Sequence, residues 1–160
     1  AELAKKKYPD CITVFIGPCL AKRREGFDDE NVDYVITAEE LTAFFSAKDI
    51  DLTKLTSVEK TEKPTSSARN FARTGGVADA VRLRLADDSI LKQDVINGLD
   101  IAGMNKLRHY GDIEAGRVKA GENDGNLVEV MSCCGGCIAG PCVISKVNIA
   151  NMQLDKYVKE

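Results

Sequence analysis

Four short runs rich in β-branched and apolar residues, each separated from the next by sequence of helical character, leave this chain few folds to choose from. The runs are Cys11–Ile16 (CITVFI), Asp33–Ile36 (DYVI), Gln93–Asn97 and Leu127–Met131 (LVEVM). Each has strand length, and Gly17-Pro18 breaks the first. Ala1–Tyr8 reads as a short helix stopped by Pro9. Thr37-Ala38-Glu39-Glu40 fits a capping box with Thr37 as N-cap, and Ala38, Leu41, Phe44 and Phe45 form the apolar face of the helix it opens. Asp51–Ala68 reads as a long polar loop around Pro64. Thr74-Gly75-Gly76 precedes a helix with Val77, Ala80, Val81 and Leu85 at helical spacing. Leu99–Tyr110 and Ile113–Ala120 read as one or two helices closed by Gly121, and Ile149–Glu160 as a last one. Alternation of this kind predicts a single α/β domain over residues 1–160, with a mostly parallel four-stranded sheet flanked by helices.

Length and charge narrow the function classes. The chain has 160 residues, 22 Lys+Arg against 25 Asp+Glu, and a net charge of −3, so nothing points to nucleic acid. Its apolar runs are far shorter than the ~18–20 residues that span a bilayer, so no membrane partner is expected. Ala1–Lys7 is charged and has no apolar core of a signal peptide. The first residue is not Met, which reads as a piece of a longer protein. Neither of the glycine-rich nucleotide-cradle motifs is present.

The six cysteines carry the chemistry. Cys133, Cys134, Cys137 and Cys142 fall within ten residues, while Cys11 and Cys19 lie far upstream. Cysteines that staple a fold usually close long loops, whereas a cluster in a glycine-rich turn suits metal binding. A reducing compartment, and so a cytoplasmic location, follows from that usage. The segment Cys133-Cys134-Gly135-Gly136-Cys137 runs straight out of the fourth strand. Iron–sulfur clusters need several soft thiolates at one point, and Gly135 and Gly136 allow a tight turn and a close backbone approach. A redox pair such as Cys134/Cys137, or inert buried thiols, fits the same residues. Zinc competes on spacing, but Cys19 has no paired cysteine beside it and His109 is the only histidine.

Cys19 also follows a strand, and Lys22, Arg23 and Arg24 come directly after it. Three cations near a thiol favour its thiolate and offset an anionic ligand. The plainer alternative is a solvated basic helix start with Cys19 as a small core residue.

Together, Pro18-Cys19-x-x-Lys22-x-x-Glu25 and Glu129-x-Met131-x-Cys133-x-Gly135-Gly136-Cys137 resemble the large subunit of iron-only, or [FeFe], hydrogenase. Asp33-Tyr34-Val35-Ile36-Thr37 and Thr74-Gly75-Gly76-Val77 match family sequence between those motifs, so the resemblance runs over roughly residues 10–145. It implies one lobe of a two-lobed catalytic domain that encloses an H-cluster, a [4Fe–4S] cubane joined through a cysteine sulfur to a di-iron unit. Cys19 and Cys133 match terminal ligands of the cubane, and Cys137 matches the bridging cysteine. Lys22 matches the lysine that hydrogen-bonds a cyanide of the di-iron unit, and Glu25 a positioning acid. Met131 matches a methionine beside that unit, Gly135 and Gly136 its backbone surroundings, and Phe71 lies near the pocket. Cys19, Cys133 and Cys137 are then expected to converge at one end of the sheet, near Lys22.

The family's first cysteine motif is absent, and with it the remaining cubane ligand. Gly17 stands where catalytic members have Met, and Ala139-Gly140-Pro141-Cys142 replaces the usual glycine-rich end. The resemblance therefore implies a C-terminal lobe that turns over hydrogen only within a longer protein, and by itself is inactive and without the complete cofactor. Its partners would be the N-terminal lobe and a ferredoxin-like electron donor or acceptor, with self-association through the uncovered face. Cys134 and Cys142 have no ligand role in this picture. A hydrogen sensor of the same fold, or a cytosolic iron–sulfur assembly factor, are the alternatives; Lys22 speaks against the assembly factor, which needs no cyanide partner.

Overall fold

The computed structural model describes residues 1–56 and 64–159, and the part of the expected polar loop at residues 57–63 lies outside them. Two compact units emerge, one of Ala1–Glu62 with Gly140–Lys146 and one of Lys63–Ala139 with Val147–Glu160. Each holds one pair of parallel strands among the described residues.

In the first unit, β1 (Val14–Gly17) pairs in parallel with β2 (Tyr34–Thr37), with Val14 opposite Tyr34 and Gly17 opposite Thr37. The helix α1 (Glu2–Lys7) precedes them, α2 (Ala21–Asp28) connects them and α3 (Ala38–Ala47) follows. β1 starts three residues later than the run Cys11–Ile16 implies. The reason is local: the Thr13 amide donates to the Asp33 carboxylate at 2.7 Å and the Thr13 hydroxyl to the Asn31 carbonyl at 2.5 Å. Side-chain and loop partners thus take the place of a strand ladder there.

The capping box forms as the sequence predicts. The Glu40 amide donates to the Thr37 hydroxyl at 3.1 Å, and the Thr37 amide donates back to the Glu40 carboxylate at 2.8 Å. Arg23 of α2 pairs with the same carboxylate and ties α2 to the start of α3. Of the expected apolar face of α3, Ala38, Leu41 and Phe45 are half-buried, while Phe44 is 54% exposed. Helical geometry explains the split, because 38, 41 and 45 share one stripe and 44 lies beside it.

In the second unit, β3 (Gln93–Asn97) and β4 (Leu127–Met131) occupy the predicted residues and pair in parallel, with Val95 opposite Glu129 and Asn97 opposite Met131. The helices are α4 (Ser66–Arg69), α5 (Gly76–Arg82), α6 (Ile101–Glu114) and α7 (Val147–Lys159). Of the one or two helices expected between β3 and β4, there is one, and it ends at Glu114 rather than at Gly121. Lys106 and Tyr110 of α6 both hold Asp94 of β3, the lysine at 2.5 Å. α7 is anchored by Arg73 on Asp155 at 2.7 Å and by Arg69, which donates to the Tyr157 carbonyl at 2.5 Å and lies over its ring.

The fold class is therefore α/β with parallel strands, as the alternation predicts, but the four-stranded sheet is corrected to two separate pairs. Strands of four or five residues complete their ladders with one neighbour each, and each pair is enclosed within its own unit.

The core is thin. Ala78, Ile96, Ile138 and Cys142 are its buried apolar residues among those described, whereas Val14, Phe15 and Ile16 of β1 are 45%, 41% and 48% exposed. Polar locks carry much of the order instead. Glu129, in the middle of β4, is only 8% exposed. Its carboxylate accepts from the amides of Gly75 at 2.9 Å and Ala78 at 2.8 Å, at the start of α5. That helix begins on a left-handed Gly75 (φ 86°) with no side-chain cap, so Glu129 supplies the missing acceptor.

Two predictions come from these locks. Glu129→Leu leaves two buried amides unsatisfied and lowers the unfolding free energy by about 2–4 kcal/mol in urea titrations, while Glu129→Gln, which keeps one acceptor oxygen, loses less. In the first unit, Arg23 and the Thr37 amide hold the Glu40 carboxyl at about 2, below its ordinary 4.5, and the Thr13 amide, with Lys5, holds Asp33 at about 2 against 3.8. Both shifts are depressions, so this contribution to stability is complete above the ordinary values and fades as pH falls toward 2. The melting temperature therefore drops between about pH 4.5 and pH 2, and the drop is shallower in the double variant Asp33→Asn/Glu40→Gln.

Candidate functional site

The thiol turn grows directly from β4. Met131 ends the strand half-buried, Ser132 follows, and Cys133 is half-buried while Cys134 and Cys137 are exposed. Gly135 and Gly136 have φ of 94° and 91°, the left-handed region that favours glycine. Gly136 is buried for a second reason. A Cβ there would stand 2.6 Å from the Thr74 amide nitrogen and 2.7 Å from the Ala72 carbonyl oxygen, so only glycine lets the turn press against the Ala72–Thr74 backbone.

The turn is closed from within by the Gly136 amide on the Cys133 carbonyl at 3.0 Å. It is held from outside by Asn97, the last residue of β3. The Asn97 side-chain oxygen accepts from the Gly135 amide at 2.7 Å and from the Thr74 hydroxyl at 2.9 Å. The Thr74 amide in turn donates to the Gly135 carbonyl at 3.4 Å. Cys134 lies against Gly98, where an added Cβ would come 3.4 Å from the Cys134 Cβ. The two glycine amides thus serve the turn itself and its support.

Sequence reasoning names Glu129 within the second cysteine motif but gives it no role, and it gives Asn97 none beyond the end of a strand. The available signals are a charged residue inside the apolar run LVEVM and an amide side chain closing a strand just before Gly98. Phe71 is 47% exposed and lines an apolar groove of about 410 Å³ with Val77, Val81 and Leu85. His109, the one histidine, is paired with Asp124 at 2.9 Å.

The second thiol motif belongs to the first unit. Cys19 is half-buried two residues before α2, whose first turn carries Lys22 and Arg23 and no acidic residue. Lys22 is paired with Glu25 one turn on. Cys142 is buried in this unit too, and its amide donates to the Pro18 carbonyl at 3.4 Å. So Cys19, Lys22 and Glu25 fall in one unit, and Met131, Cys133, Gly135, Gly136 and Cys137 in the other.

The donor chemistry suits an iron–sulfur centre: thiolates at the end of a strand, on a turn built from glycines and accessible from solvent. It is a partial ligand set. Among the described residues, no group of three His, Cys, Asp or Glu side chains stands ready to hold a metal ion. No helix among them is long and apolar enough to cross a membrane.

Comparison with known proteins bears on the family of the chain as a whole. The chain is 28% identical over 172 aligned positions to the periplasmic [Fe] hydrogenase large subunit of Nitratidesulfovibrio vulgaris, covering 88% of this chain and 40% of that protein. It is 30% identical over 167 positions to the NADP-reducing hydrogenase subunit HndD of Solidesulfovibrio fructosivorans, covering 81% of this chain and 27% of that one. It therefore spans less than half the length of either relative. Among solved structures, the [FeFe]-hydrogenase HydA(deltaEFG), studied for stepwise H-cluster assembly, shares the fold with a TM-score of 0.57 at 19% identity, over 98% of this chain and 55% of that one. The family model for the iron only hydrogenase large subunit, C-terminal domain, matches residues 1–141, a span that includes both cysteine motifs, and the chain belongs to that family.

Proposed function

We propose that the chain is the part of an iron-only hydrogenase that contributes thiolates and a lysine to an H-cluster, within a protein that interconverts protons and H2. The family match over residues 1–141 carries this reading, because it takes in both thiol motifs in their order. When bound, the di-iron unit supplies the proton and electron chemistry. The chain's own residues hold and surround it. Cys19 and Cys133 serve as terminal ligands of the cubane, and Cys137 as the bridging thiolate. Lys22 donates a charge-assisted hydrogen bond to a cyanide, with Glu25 steadying its ammonium group. Met131 packs beside the di-iron unit, and the Gly135–Gly136 backbone allows it to approach.

The exposed β1 side chains Val14, Phe15 and Ile16 support a covering partner, which we assign to the N-terminal lobe of the same protein. In its absence the same residues favour self-association. A ferredoxin-like protein exchanges electrons with the complete enzyme. The clustered cysteines support a reducing, cytoplasmic setting, although one relative is named as periplasmic.

Lys22→Met in the complete, matured protein is expected to lower hydrogen turnover at least about tenfold and to weaken the infrared bands of CO and cyanide, with folding intact. Wild-type turnover in that variant would remove Lys22 from the site. The 160 residues alone, matured anaerobically, are expected to show neither those bands nor hydrogen evolution. A stable di-iron centre in them would show that the other lobe is dispensable.

A further inference from the structure

We infer that Asn97 is the positioning residue of the thiolate turn, through its side-chain oxygen alone. The inference rests on the proposed role of Cys133 and Cys137 as ligands. Gly135 lies midway between those cysteines and is gripped on both sides. Its amide donates to Asn97 at 2.7 Å, and its carbonyl accepts from the Thr74 amide at 3.4 Å. The same Asn97 oxygen takes the Thr74 hydroxyl at 2.9 Å, so one atom joins segments 23 and 38 residues away.

Asn97 is itself fixed by the sheet. It lies opposite Met131 in the β3–β4 register, and the next amide, that of Gly98, donates to the Met131 carbonyl at 2.8 Å. The position of the turn is thereby referred to the rigid end of the strand pair. A ligand set needs that reference, since coordinating groups must be held within about 0.5 Å of their working positions. Both bonds to Asn97 use its oxygen as acceptor, so a carboxylate at that position can replace it and a hydrocarbon cannot.

The test has two arms. In the reduced, metal-free chain, amide hydrogen exchange at Gly136 reports whether the turn is closed, and exchange at Leu107, inside α6 of the same unit, reports folding. Asn97→Leu is expected to speed Gly136 exchange about tenfold, Asn97→Asp less than about twofold, and Thr74→Val, which removes one of the two donors, about threefold, with Leu107 unchanged throughout. In the complete protein, loaded anaerobically with iron and sulfide, the electron paramagnetic resonance of the reduced cluster should match wild type in Asn97→Asp and be broadened or lost in Asn97→Leu. Wild-type Gly136 exchange in both Asn97→Leu and Thr74→Val would overturn the inference. So would an Asn97→Asp variant that behaves like Asn97→Leu. Failure of the complete wild-type protein to take up any cluster would count against the functional reading instead, and the exchange arm would still decide the role of Asn97.

Discussion

A carboxylate buried in the middle of a strand must find donors, and much of the second unit follows from where Glu129 finds them. Its neighbours on β4 are apolar, and the ladder with β3 uses only backbone groups. The amides of Gly75 and Ala78 are available because α5 starts without a side-chain cap. Each partner removes the other's penalty: two orphan amides and one buried carboxylate are all satisfied in one place. The Thr74–Gly76 turn is thereby fixed to β4, and the Cys133–Cys137 turn that follows the same strand meets it directly, through Gly136 against Ala72–Thr74 and through Asn97. Thr74-Gly75-Gly76 is then part of the support of the thiols rather than merely the start of a helix.

The first unit is organised on different terms. Arg23–Glu40, Lys5–Asp33 and Lys22–Glu25 involve side chains that remain substantially solvated, so water screens each pair. They orient α1, α2 and α3 around β1 and β2 more than they stabilise them. Apolar burial does not make up the difference, because every residue of Val14–Ile16 is more than 40% exposed.

How far the sequence was legible depends on how far away each residue's partners lie. β3 and β4 are legible at their true ends, because the pairing residue by residue from Gln93–Leu127 to Asn97–Met131 spans the whole of both apolar runs. The Thr37–Glu40 box was read in full because its donors and acceptors are three residues apart. β1 was read too early because Thr13 is claimed by Asp33, 20 residues on. Phe44 was assigned to a face that only Ala38, Leu41 and Phe45 occupy. The four-stranded sheet failed because alternation predicts parallel pairing without saying which strands share an edge. The supporting roles of Asn97 and Glu129 are illegible for the same reason as that of Thr13, since their partners lie 23 to 54 residues away.

The polar character of the lock on the thiol turn has a consequence for what the turn can do. A turn held by apolar packing would have to bury its cysteines, and a buried thiol resists ionisation. The Gly135 backbone donates to Asn97 and accepts from Thr74, and the steric fit acts through Gly136, which has no side chain at all. Fixation is thus applied at the two residues that carry no side chain. Cys133 stays half-buried and Cys137 exposed, anchored at the backbone yet open to an incoming group. Rigidity is thus applied to the backbone and not to the sulfurs, which is why a pair of glycines, both at positive φ, stands between the cysteines at a point where glycine otherwise costs order.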